Sequence, residues 1–132
     1  GIHEKRFKTF ISHDGIFNLK SMYGTTEELF FVNWDLGGPY WETSNAAAMK
    51  SYSQFDPSNL VAKWDTPILI YQGGKDYRVP IGQGLEAFQA AQLRGIKSKL
   101  VYLPNENHWV LSAQNALVWQ KEFFGWLKET LK

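Results

Sequence analysis

The second half of this chain is punctuated so regularly that few folds remain open to it. Pro67-Ile68-Leu69-Ile70-Tyr71-Gln72 is a short, β-leaning apolar run, and Gly73-Gly74 ends it in a turn. From about Ile81 to Leu93 the residues Leu85, Phe88 and Ala91 or Gln92 lie along one side of a predicted helix. Gly95 suits the helix end, because glycine tolerates the left-handed conformation found there. A second strand is predicted over Lys99 to Leu103, and a last helix from near Ser112, with Ala116, Trp119, Phe123 and Leu127 on one face. Strand, helix, strand, helix in this order calls for βαβ units and a parallel sheet flanked by helices, an α/β fold.

The first half is less regular. Phe7-Lys8-Thr9-Phe10-Ile11-Ser12 reads as a strand ended by the turn signal His13-Asp14-Gly15. Ile16 to Tyr52 is irregular, with a helix start at Thr25-Thr26-Glu27-Glu28, a break at Gly37-Gly38-Pro39 and a short helix over Ser44 to Lys50. Phe55-Asp56-Pro57 and Lys63 to Pro67 read as loops. A three-stranded parallel sheet beginning on a strand has bare edges and a poorly covered face, so the expectation is a piece of a larger domain.

Composition narrows the function. The 132 residues suffice for one domain with its own core, and a net charge of +1 from scattered basic residues gives no stripe for nucleic acid. No apolar run is long enough to span a bilayer. The absence of cysteine excludes disulfides, thiolate catalysis and zinc-thiolate sites. Aromatic residues, at 16%, are the outlier. Part of them fills a core; the rest suits a pocket lining or a surface for self-association.

Two residues carry chemistry by position. In open α/β sheets, sites gather at the carboxyl ends of strands. Asp76 follows one predicted strand and His108 the next. An aspartate there can orient a histidine and stabilise its protonated form, and a histidine can take and return a proton near neutral pH. Asp76 is equally readable as a turn or capping aspartate, and His108 as an exposed loop histidine. Their order, acid before histidine, is that of α/β-hydrolases, yet no serine here sits in a G-x-S-x-G elbow. His3 and His13 are weaker candidates; His13-Asp14 reads as a turn that could face the same cleft. The histidines lack metal-ligand spacing, the glycine pairs form no phosphate loop, and no metal or cofactor is assigned.

The runs TPILIYQGGKDYRVP and KLVYLPNENHWV resemble the end of the catalytic domain of the prolyl oligopeptidase family of serine peptidases, most of all bacterial dipeptidyl-peptidases of the type V group and acylaminoacyl-peptidases. The resemblance extends to RFKTFISHDGIFNLKSMYG, similar to the strand and loop after the nucleophile elbow, and to the helical insert from Gly37 to Ile70. It implies a C-terminal portion, residues 1–132, of an α/β-hydrolase domain without its nucleophile elbow or β-propeller. Asp76 would be the triad acid and His108 the base, with no cofactor. Val79 would lie near the pocket for the residue before the scissile bond, with Phe17 and Tyr23 close by. Arg78 would steady the acid loop. Trp109 replaces a glycine common after the histidine. A peptide is the substrate so implied, in the bacterial periplasm or cytoplasm, and the chain by itself is expected to be inactive. The rivals are an esterase or lipase of the same superfold and a non-catalytic module that binds peptides or assembles with a partner.

Overall fold

The computed structural model describes residues 5–132. Its centre is a three-stranded sheet in the order β1 (Phe10–His13), β2 (Ile68–Gly73), β3 (Ser98–Leu103), all parallel. Phe10 pairs with Ile68 and Ile68 with Ser98, so the three strands end at one edge. The central strand is buried on both faces, which is why it reads as an unbroken apolar run: Leu69, Ile70, Tyr71 and Gln72 are at most 1% exposed.

Side chains alternate across this sheet. Leu69, Tyr71, Val101 and Leu103 face α5 (Ala113–Thr130), where Trp126 is buried and Trp119 and Phe123 pack beside it. The predicted members Trp119 and Phe123 lie on this face, but its innermost residue is Trp126, which the predicted stripe left out in favour of Leu127. Tyr71 also donates its hydroxyl to the Trp119 carbonyl at 2.9 Å. On the other face Ile68, Ile70 and Leu100 meet α4 (Gly82–Leu93), which crosses over between β2 and β3, together with Phe17, Val61 and Trp64.

The segment that looked irregular is a set of short helices: α1 (Leu19–Thr25), α2 (Leu29–Leu36) and α3 (Ala46–Lys50). A π-helical turn at Ser51–Phe55 and a 3₁₀ segment at Pro57–Lys63 follow, overlapping the ends of the loops expected at Phe55–Pro57 and Lys63–Pro67. Helix α1 starts at Asn18, whose side chain accepts from the Lys20 and Ser21 N–H groups, and Asn45 caps α3 in the same way. These helices enclose a second core of Leu19, Met22, Tyr23, Val32, Ala48, Tyr52 and Val79. Because Val79 belongs to the loop after β2, the insert is fastened to the sheet edge where the strands end. Thr26 Oγ1 donates to the Arg78 carbonyl at 2.7 Å and the Glu27 N–H to the Tyr77 carbonyl at 2.9 Å. Phe30, Trp34 and Trp41 stay largely exposed. No helix among the described residues is long and apolar enough to cross a membrane.

Candidate active site

The loops after β2 and β3 touch backbone to backbone, and the glycine pair makes that possible. A Cβ on Gly73 would lie 2.1 Å from the Asn107 carbonyl oxygen, and one on Gly74 would lie 2.6 Å from that of Pro104. The Gly74 N–H donates to the Leu103 carbonyl and the Lys75 N–H to the Glu106 carbonyl, both at 2.9 Å. Glu106 anchors the second loop: its buried carboxylate accepts from the Leu111 and Ser112 N–H groups and the Asn115 amide at the start of α5. The Asn115 amide first, then the Leu111 N–H, holds its carboxyl below the usual range.

Asp76 and His108 meet across this seam. His108 Nδ1 lies 2.8 Å from Asp76 Oδ2. Asp76 Oδ1 accepts the N–H groups of Arg78 at 3.0 Å and Val79 at 2.8 Å, so the side chain both turns its own loop and presents one oxygen to the histidine. The Asp76 side chain is fully buried and that of His108 is 28% exposed. The bond at Nδ1 orients the ring and leaves Nε2 for other chemistry.

Asp14 completes the cluster. It ends β1 in a left-handed conformation with φ of 45°, uncommon for a residue with a Cβ. Its N–H donates to the Tyr71 carbonyl and its Oδ1 accepts the Gly73 N–H at 2.9 Å. His13 Nδ1 is 3.3 Å from Asp14 Oδ2. Burial pushes the Asp14 carboxyl up to about 6; the Gly73 N–H opposes the shift and the Asp76 charge adds to it. His13 is held below its ordinary value by burial and then by His108, against the pull of Asp76. One ligand-type atom each from Asp14, Asp76 and His108 falls within 4.8 Å of the others. His108 Nδ1 and Asp76 Oδ2 are already satisfied by one another, so these two are assigned as a hydrogen-bonded pair with Asp14 beside it, and not as metal ligands.

An open pocket of about 480 Å³ lies beside His108, lined by Asp14, Ile16, Glu28, Phe31, Arg78 and Val79. The Arg78 guanidinium donates to Glu28 Oε1 at 2.7 Å and sits 5.1 Å from the centre of the Trp109 ring. Tyr23 stands behind Val79 in the insert core, its hydroxyl donating to Asn33 Oδ1 at 2.9 Å and its ring edge-on to Trp41. Phe17 is turned the other way, into the sheet core against Ile70 and Ala87 with its ring edge on Trp64; its neighbour Ile16 is the one lining the pocket. The Phe17 and Asn18 N–H groups both donate to Oε1 of the buried Gln83 on α4. Sequence reasoning passed over Ile16, Glu28, Phe31 and Glu106, and favoured a turn for His13-Asp14 while allowing that it could face the cleft. His3 lies outside the described residues.

The sequence model of the prolyl oligopeptidase family matches residues 1–132. The chain is 52% identical over its whole length to "Dipeptidyl-peptidase 5" of Porphyromonas gingivalis, and spans 19% of that protein. It is 39% identical over 123 residues to the protein of the same name from Schizosaccharomyces pombe, covering 93% of this chain and 17% of that one. Its fold superposes on the acylaminoacyl peptidase of Pyrococcus horikoshii with a TM-score of 0.83 at 20% identity, over 99% of this chain and 21% of that one, so the α/β architecture is shared although most of the sequence is not. The chain thus spans about a fifth of the length of the relatives it matches. With a family match from end to end and over half of its residues shared with one relative, this chain belongs to the prolyl oligopeptidase family.

Proposed function

We propose that this chain supplies the acid and the base of a serine peptidase that releases short peptides, with the nucleophile and oxyanion donors coming from sequence outside these residues. The single observation that carries the reading is the 2.8 Å contact between His108 Nδ1 and an Asp76 carboxylate whose other oxygen is taken up by two backbone N–H groups. In that arrangement His108 Nε2 accepts the serine proton as the hydroxyl attacks the peptide carbonyl. The imidazolium keeps its Nδ1–H on Asp76 and then gives the Nε2 proton to the leaving amine. Val79 and Phe31 line an apolar wall beside this histidine for the side chain ahead of the scissile bond, and Tyr23 stiffens that wall from behind. Phe17 contributes by seating the strand-end loop that carries Ile16. The name shared by the bacterial and yeast relatives supports removal of dipeptides as the mode of cleavage.

The test uses the full-length protein and dipeptidyl chromogenic amides. Turnover by the full-length protein and none by the 132-residue chain is the expected pair of results. Turnover of esters alone, or equal amide turnover by the short chain, contradicts the proposal.

A further inference from the structure

Asp14 is expensive for the fold and unnecessary for the sheet. Its backbone takes a positive φ that glycine or asparagine adopts more readily, and its carboxyl is buried at 5% residue exposure. Among the described residues no Lys or Arg is paired with it. Its nearest basic neighbour, His13 at 3.3 Å, is held below its ordinary value by burial and then by His108. The one backbone donor it receives, from Gly73, would be accepted equally well by an asparagine oxygen. What a carboxyl adds at this position is a charge, and the charge falls within 4.8 Å of both Asp76 and His108.

The groups around it can be named element by element. His13 precedes it on β1, with the Tyr71 ring of β2 tilted against that imidazole at 5.5 Å. Asp76 and Arg78 face it from the loop after β2, and Glu28 holds Arg78 from the start of α2. His108 faces it from the loop after β3, and the uncharged Trp119 reaches His13 from α5. Arg78 is committed to Glu28, and Asp76, the group Asp14 meets most strongly, is itself bonded to His108, so the charge of an ionised Asp14 is added beside the imidazole that Asp76 already holds.

We propose that Asp14 is a second carboxyl of the histidine machinery, a positioning residue whose ionised form adds negative charge beside the His108 imidazolium and so stabilises the transition state that Asp76 alone would stabilise less. The inference rests on the peptidase reading above. In the step concerned, the serine proton passes to His108 Nε2 and no proton leaves Asp14 or Asp76; the two carboxylates only lower the energy of the charged ring. With its carboxyl pushed up to about 6, Asp14 is neutral in mild acid and charged at alkaline pH. Its contribution therefore appears as pH rises.

The experiment compares kcat/KM of the full-length protein with that of Asp14→Asn on a dipeptidyl amide, from about pH 5 to about pH 9. Asparagine keeps the left-handed turn and the Gly73 bond and lacks only the charge. The wild type to variant ratio should be near one at the acid end and rise through about pH 6 to about tenfold, the effect of one nearby charge on a titrating histidine. Asp14→Gly, which suits the φ of 45°, is a second carboxyl-free chain and should give the same rising ratio. A ratio that does not change with pH, whatever its size, makes Asp14 a structural residue and overturns the inference. So does failure of both variants to fold. A full-length wild type with no amide turnover fails at the earlier reading and takes this one with it, whereas active wild type with a flat ratio sinks this inference alone.

Discussion

Asp76 and Asp14 terminate neighbouring parallel strands at the same edge of the sheet, and the chain surrounds them differently. Asp76 receives two backbone N–H groups on one oxygen and a histidine on the other. Asp14 receives one backbone N–H and faces a histidine that burial holds below its ordinary value, and burial pushes its own carboxyl up to about 6. Burial is nearly equal, at 3% and 5% exposure, so depth does not separate them. The number of hydrogen-bond partners around each carboxyl does. A βα turn that curls back over its own aspartate supplies two N–H groups; a strand end that veers off at positive φ supplies none from its own loop.

Breaking the shared support should have the largest effect. Gly73 donates to Asp14 and its Cα faces the Asn107 carbonyl, so Gly73→Ala strikes both carboxyls together. The added Cβ cannot be placed without parting the two loops, and the variant should lose about 3 kcal/mol of stability by chemical denaturation. Where it still folds, kcat/KM should fall by about 10²-fold, the loss expected when reacting groups are displaced by about 1 Å.

Asp14→Asn sharpens the comparison from the side of stability. A carboxyl whose folded pKa lies above its unfolded value favours the folded state at low pH. That advantage fades as pH rises from about 4 to about 6, because the unfolded chain gives up its proton first. Wild type should therefore lose on the order of 2 kcal/mol relative to Asp14→Asn between those limits and no more above them. Melting curves of both chains at pH 4 and pH 8 measure it; parallel curves would mean that the buried carboxyl carries no such penalty. The smallest effect should come from Trp109→Ala. It removes the ring beneath the Arg78 guanidinium, which also stands edge-on to the His108 imidazole at 5.4 Å, and the cation–π contact is worth about 0.5–1 kcal/mol at an exposed site. Asp76 keeps both of its backbone donors, and the pH dependence of kcat/KM should stay that of the wild type.

The same pair shows what is legible in a sequence. Asp76 and His108 stood out because each follows an apolar strand and a loop too polar to extend it, and because the motifs around them resemble a known family. The sheet and the helices α4 and α5 were legible because short apolar runs give way, after glycine or polar turns, to a period of 3.6. Asp14 reads first as a turn residue that could face the cleft, because an aspartate before glycine at a strand end is one; its place there depends on β1 pairing with β2, through contacts nearly sixty residues apart. Helix α1 was missed because it is seven residues long, contains Gly24 and has no acid in its first turn. It is held instead by the local Asn18 cap, which passed unread, and by Gln83 from α4, a contact that no local window contains. Phe17 was expected near the pocket, but a rotation of one residue sends it to Trp64 and gives the lining position to Ile16. Glu106 looked like one polar residue in a polar loop until the start of α5 closed around it.

The account depends on Asp76 acting through His108, and a double-mutant cycle in the full-length protein tests that dependence most directly. Asp76→Asn alone should lower amide kcat by about 10⁴-fold, as for a triad acid that holds its histidine. In a His108→Ala background the same substitution should cost nothing further, because residues of one catalytic unit are not additive. Losses that add would place Asp76 and His108 in separate roles and contradict the account.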